Sequence, residues 1–275
     1  MKNSLKTLIL ATAVTASSAF AATTTDTFAA GDILLGFFTS SGTGAGQNLM
    51  VNLGAFSQFE NNDGATINFS SSIVADLNDT YGSDWNTRTD IKWSVTGATF
   101  ATSVDGVTRN TIFATAVDGA APIASASDGI LASVRSNVSS IGTAFNAFDT
   151  TANSTVSVVV ASSNANSMQA RLTTNNSPQF GAIGQNVTTA TTVSDFYALV
   201  PTSGGTAPTG LATDGDGIVF ARGTNLLGSF ALDASGLSFT ASGASAIPEP
   251  STYAALVGAA VLGLAASRRR PAARV

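Results

Sequence analysis

The sequence predicts a β-rich α+β body, built from sandwich-like antiparallel sheets with one or two helices packed on them. Three observations support this fold class. Charged residues make up only 11% of the chain, against roughly 25% in an average soluble domain. Ser and Thr make up about a quarter of the residues, and the chain contains 16 Phe residues. This composition favours strands and turns. Short apolar runs alternate with Gly- and Asp-containing turns along the middle of the chain, as in hairpins.

The first part of the body predicts a β-hairpin. Residues 33–38 are apolar almost throughout, as in a strand that is buried on both faces, and residues 48–53 form the returning strand. The glycines of 42–46 predict the turn between them. No Lys-Ser/Thr pair follows these glycines, so they do not match a phosphate-binding loop.

A helix and two strands are predicted next. Residues 70–81 begin with three serines that can cap a helix, carry an apolar face and end before Gly82. Strands are predicted at 91–102 and 109–117.

Residues 128–148 carry the clearest helical pattern of the chain. Apolar side chains recur at steps of three and four residues, which predicts a stripe that packs against the sheet. The stripe comprises Ile130, Leu131, Val134, Val138, Ile141, Phe145 and Phe148. Gly142 interrupts the helix and costs about 1 kcal/mol relative to Ala.

The last third predicts strands at 156–160 and 193–200, a helical turn at 166–172 and a closing hairpin of 227–232 with 237–240. A glycine-rich loop, 202–217, ends in Asp214-Gly-Asp216-Gly. Alternating carboxylates are compatible with a calcium site. The remaining ligands of an EF-hand loop are absent, so a tight turn is the preferred interpretation.

The N-terminus has the three parts of a secretory signal peptide. Lys2 and Lys6 precede an apolar stretch, and Ala19-Phe20-Ala21 has the small-x-small pattern of a cleavage site. We therefore expect residues 1–21 to be removed by signal peptidase, so that the mature chain begins at Ala22.

The C-terminus combines a Pro-Glu-Pro element, an apolar run and a basic end. Pro248-Glu249-Pro250 is followed by the uncharged run 253–266 and then by Arg268, Arg269 and Arg270. The run is shorter than the roughly 20 residues that a spanning helix needs. Extending it to residue 267, with the arginines reaching out of the bilayer, predicts a marginal transmembrane helix at 253–267. The arginines are expected to stay on the cytoplasmic side.

These C-terminal features resemble the PEP-CTERM sorting signal of Gram-negative bacteria that make extracellular polysaccharide. The resemblance covers residues 247–275. It implies that an exosortase-type membrane peptidase recognises the Pro-Glu-Pro region, removes the anchor and passes the body to the cell envelope or extracellular matrix. An ordinary single-pass tail anchor is the alternative interpretation.

The composition of the body, residues 22–246, excludes several function classes. The chain has no Cys and no His, so disulfides, thiol chemistry and Ser-His-Asp catalysis are excluded. The body holds six basic and sixteen acidic residues, which argues against nucleic-acid binding. Its single Glu, Glu60, and its single Lys, Lys92, provide neither a typical glycosidase pair nor a credible Ser-Lys dyad. We expect no cofactor and no catalytic residue.

The leading hypothesis is a non-catalytic, exported envelope or matrix protein that associates with extracellular polysaccharide. The alternative is a carbohydrate-binding module or adhesin that uses Trp85, Trp93 or Tyr197, since aromatic faces stack on sugars. Core packing is the competing interpretation of both tryptophans. The third hypothesis is a hydrolase that uses a pair of Asp residues.

Overall fold

The computed structural model describes residues 19–59, 65–69, 71–100, 104, 107–117, 124–174, 185–186, 192–204 and 221–242. Most of the predicted signal peptide, the whole C-terminal segment, Glu60, Asp214 and Asp216 lie outside these ranges. None of the helices within these ranges is long and apolar enough to cross a membrane.

Strands dominate the described part of the chain, as predicted. The strands are β1 (Ala19–Ala21), β2 (Asp32–Phe38), β3 (Gln47–Ala55), β4 (Thr66–Asn68), β5 (Lys92–Ala98), β6 (Ile112–Val117), β7 (Ser157–Ala161), β8 (Gln185–Asn186), β9 (Thr192–Val200), β10 (Gly223–Asp233) and β11 (Gly236–Ala241). The helices are α1 (Ser72–Tyr81) and α2 (Asp128–Asn146). Short helical turns occupy Phe56–Phe59, Trp85–Thr87 and Ala170–Thr174.

The strands form one curled sheet instead of the two stacked sheets of a sandwich. Their order is β1-β4-β11-β10-β9-β6-β5-β2-β3-β7, and β8 pairs with β5. All of these pairs are antiparallel except β1 with β4. Because each strand is hydrogen-bonded to the next along this path, the predicted sandwich is replaced by a continuous sheet.

A cluster of aromatic rings fills the inner face of the curl. Phe59, in the turn that follows β3, has its ring centroid 5.7 Å from that of Phe196, 5.6 Å from Phe230 and 5.1 Å from Phe239. These partners lie on β9, β10 and β11, several strands away from β3 in the sheet. The sheet is therefore curled so strongly that strands distant from one another in its order contribute to one core. Helix α1 contributes Ile73 and Leu77 to the same core.

The second helix covers the opposite face of the sheet and confirms most of the predicted apolar stripe. Its inward residues are fully or almost fully buried: Leu131, Val134, Val138, Ile141 and Phe145. The two ends of the predicted stripe are exposed, Ile130 by 44% and Phe148 by 38%. Phe148 lies beyond the last helical residue, and Ile130 lies in the first turn at the edge of the stripe, so neither faces the sheet.

Both predicted hairpins are present, and the first one docks on α1. Gly42, Gly44 and Gly46 adopt positive φ angles in the turn between β2 and β3, a conformation that glycine adopts without steric cost. A Cβ on Gly44 would lie 2.3 Å from Cδ1 of Tyr81, the last residue of α1. The glycine therefore permits the turn to pack closely against the end of the helix.

Candidate functional site

The two predicted processing regions are only partly described by the structure. Pro248, Glu249, Pro250 and the arginines 268–270 lie outside the described residues, as does the predicted transmembrane segment. Ala19–Ala21 forms β1, which pairs in parallel with β4. Cleavage after Ala21, as predicted from the sequence, would remove this strand and leave β4 at the edge of the sheet.

The aromatic residues considered for sugar binding lie inside the protein. Trp85 is 2% exposed, Trp93 is not exposed at all, and Tyr197 is 5% exposed. Trp93 and Val95 lie on the same inward face of β5, and both belong to the aromatic core. The Tyr197 hydroxyl donates a hydrogen bond to Asp195 at 3.1 Å. None of the three rings presents a face on which a sugar could stack.

An ion pair holds the first hairpin turn and the end of α1 together. The Arg88 guanidinium donates to the Asp90 carboxylate at 2.7 Å, and to the backbone carbonyls of Thr43 and Tyr81 at 2.7 and 2.8 Å. Asp90 also accepts from the Ser41 hydroxyl at 2.7 Å. The hydrogen bonds from Arg88 and then from Ser41 hold the pKa of Asp90 below its usual range.

The Tyr81 hydroxyl forms a buried link between the same helix and the sheet. It donates to the Phe37 carbonyl at 2.7 Å and accepts from the Leu49 backbone N–H at 3.2 Å. Burial raises the pKa of the phenol well above its usual value, because ionisation in the core is unfavourable. The ion pair and the phenol hydroxyl both fix the position of neighbouring backbone groups.

A polar hollow lies between α1 and the loop before β7. It has a volume of about 290 Å³ and is lined by Gln47, Asp76, Asp79, Thr80, Thr151, Ala152, Asn153 and Val159. Asp76 is 1% exposed, whereas Asp79 lies on the surface. The Asn153 amide nitrogen donates to Asp76 Oδ1 at 3.2 Å and to Asp79 Oδ2 at 2.7 Å. One amide group thus bridges two carboxylates.

The two carboxylates have no basic partner within ion-pair distance in the described part of the chain. The ion pairs found there are Arg88–Asp90 and Arg109–Asp128. The second oxygen of Asp76, Oδ2, is buried without a hydrogen-bond partner. Sequence reasoning did not identify this hollow. The available sequence indication was the position of Asp76 on the inward side of a helix, three residues after Ile73 and next to Leu77.

The described residues contain no group of three or more Asp, Glu, His or Cys side chains that could hold a metal ion. Lys92, considered for a Ser-Lys dyad, is exposed at the start of β5.

Comparison with known proteins identifies the C-terminal segment. A family model described as the PEP-CTERM protein-sorting motif matches residues 246–270, which confirms the resemblance recognised in the sequence. No curated protein matches the chain, and no solved structure matches it. The motif implies an exported protein that passes through the membrane and is processed by exosortase, a membrane protease.

Proposed function

We propose that this chain is a non-catalytic protein of the cell envelope or extracellular matrix. In this proposal signal peptidase removes residues 1–21, the C-terminal segment anchors the body transiently in the inner membrane, and exosortase then releases the body. The observation that carries the proposal is the match of the sorting motif to residues 246–270, at the C-terminal end of the chain.

The chemistry of the tail supports its role as a processing signal. Pro248 and Pro250 lack backbone N–H groups and favour extended conformations, so neither residue suits a central strand or the interior of a helix. An extended, accessible segment next to the bilayer is a suitable peptidase substrate. The arginines 268–270 favour the cytoplasmic side and would orient the anchor.

The composition of the body supports association with hydrated polysaccharide. The whole chain has 11% charged residues and abundant hydroxyl groups, so its body offers many weak hydrogen-bonding groups. The burial of Trp85 and Trp93 leaves the alternative of a specific carbohydrate-binding module without its candidate aromatics. We therefore favour diffuse association over a single sugar site.

Replacement of Pro248, Glu249 and Pro250 by Ala tests the sorting step. The chain carries one tag in the body and one after residue 275, and it is fractionated from a host with an active exosortase. We expect the unaltered protein to lose the C-terminal tag and to reach the envelope or medium. The altered protein should fold but accumulate unprocessed in the inner membrane.

Pro271→Ala provides a matched control, because it removes a proline of the same tail outside the Pro-Glu-Pro element. It should be processed normally. Changing the arginines 268–270 to Asp should instead disturb orientation or retention. If both tags of the unaltered protein remain on one full-length chain in this host, the sorting proposal is refuted and a permanent anchor replaces it.

A further inference from the structure

We propose that the hollow between α1 and residues 151–153 binds a divalent cation of the calcium type, with Asp76, Asp79 and Asn153 as ligands. This inference concerns the exported body and does not depend on how the tail is processed. Three observations support it. The carboxylate of Asp76 is buried, two carboxylates converge on one amide group, and no Lys or Arg of the described residues lies within ion-pair distance of either carboxylate.

The environment of Asp76 favours a bound cation. Its side chain is 1% exposed, it lines the hollow, and its Oδ2 atom has no hydrogen-bond partner. Burial of a carboxylate is strongly unfavourable unless a cation or several donors compensate its charge. Asn153 supplies one hydrogen bond to the other oxygen, and no Lys or Arg of the described residues lies within ion-pair distance of the carboxylate.

Carboxylate oxygens of Asp76 and Asp79 converge on one point of the hollow. Asp76 Oδ1 and Asp79 Oδ2 both lie within hydrogen-bond distance of the same atom, the amide nitrogen of Asn153. The nitrogen and oxygen of an Asn amide exchange places when the group turns over. A cation would favour the turned orientation, in which the Asn153 carbonyl oxygen faces both carboxylates.

The available ligands favour calcium over other metal ions. Calcium takes six to eight oxygen ligands from carboxylates, amide carbonyls and water in flexible geometry. The hollow of about 290 Å³ has room for several waters. Zinc and other metals that prefer imidazole or thiolate ligands are disfavoured, because the chain has neither His nor Cys. Two carboxylates suit the weak binding typical of extracellular modules, with Kd on the order of 0.1–1 mM.

The test measures calcium binding by the full-length chain, using calorimetric titration and thermal unfolding with and without 10 mM CaCl2. Asp79→Asn removes one surface ligand, so the protein should fold normally but bind calcium about tenfold more weakly. Asp84→Asn makes the same charge change at an exposed position outside the hollow. This control should bind calcium like the unaltered protein.

Asn153→Asp distinguishes a cation site from a purely structural hydrogen bond. A third carboxylate should lower stability without calcium, because like charges repel, and should tighten calcium binding about tenfold. Calcium should then restore stability. The proposal is overturned if calcium does not raise the unfolding temperature of the unaltered chain, if Asp79→Asn leaves binding unchanged, or if calcium fails to rescue a folded Asn153→Asp variant. If Asn153→Asp does not fold, the Asp79→Asn comparison decides the question alone.

Discussion

Replacement of Gly142 by Ala tests whether tertiary packing or helix propensity controls stability in α2. Propensity alone predicts stabilisation by about 1 kcal/mol, because Ala is the better helix former. The structure predicts the opposite sign. A Cβ on Gly142 would lie 2.0 Å from Cδ1 and 2.1 Å from Cε1 of Phe28, which is far inside van der Waals contact.

The backbone of Phe28 is held beside α2, so the ring cannot leave through a shift of the main chain alone. Its backbone N–H donates to the Asn146 side chain at 2.8 Å, and its carbonyl accepts from the same side chain at 3.0 Å. Overpacking a core costs about 1–3 kcal/mol. Because the added Cβ would lie about 2 Å from two ring atoms of Phe28, we expect a packing cost in the upper part of that range, about 2–3 kcal/mol. Subtracting the helix-propensity gain of about 1 kcal/mol leaves a net loss of stability of about 1–2 kcal/mol. The unfolding temperature should fall by about 2–8 °C.

Gly129→Ala in the same helix is the matched control. A Cβ at Gly129 would have no atom within 4 Å, so this change should stabilise the protein by about 0.5 kcal/mol. Chemical denaturation and calorimetry measure both variants. A double variant with Phe28→Ala should lose most of the additional cost of Gly142→Ala, since the clashing ring is gone. If Gly142→Ala is as stabilising as Gly129→Ala, the packing argument is wrong.

Two further variants test the polar links between α1 and the sheet. Tyr81→Phe removes the hydroxyl that donates to the Phe37 carbonyl and accepts from the Leu49 N–H. These two backbone groups also face each other as a pair of the β2–β3 ladder, so the free energy of unfolding should fall by about 0.5–1.5 kcal/mol; an unchanged stability in urea denaturation would refute that role. Asp90→Asn should cost about 1 kcal/mol at pH 7, a modest value because both partners of its ion pair with Arg88 reach solvent. Since folding lowers the pKa of Asp90 from 3.8, its stabilisation is present above about pH 4 and is lost as the pH falls further. The two proteins should therefore converge in acid, and a constant difference between pH 7 and pH 3 would contradict this assignment.

Local features of the fold could be read from the sequence, whereas the pairing of distant strands could not. The helical period around Val134 and Val138 predicted α2, and the glycines at 42–46 predicted the first turn. Periodicity does not specify which strands become neighbours, because it records only which face of an element is apolar. The three-residue strand β4 escaped prediction, since so short a strand carries no measurable alternation.

The same difference between local and long-range information applies to the candidate functional residues. The sorting motif is a continuous segment that another protein reads from the chain, so its sequence was sufficient to recognise it, and the match at residues 246–270 confirms it. Trp85 and Trp93 could be assigned to the surface or to the core until the sheet was known, because an aromatic residue beside charged neighbours is compatible with both.

The sequence by itself determined that the chain carries an export-sorting motif, that its composition is β-rich and where its two helices lie, because these depend on consecutive residues. Only the tertiary structure decided that the strands form one curled sheet, that both tryptophans are buried and that Phe28 occupies the space beside Gly142. It also brought Asn153 to Asp76, which lies 77 residues earlier in the chain. Such contacts depend on the burial of the whole apolar surface, which no local pattern encodes.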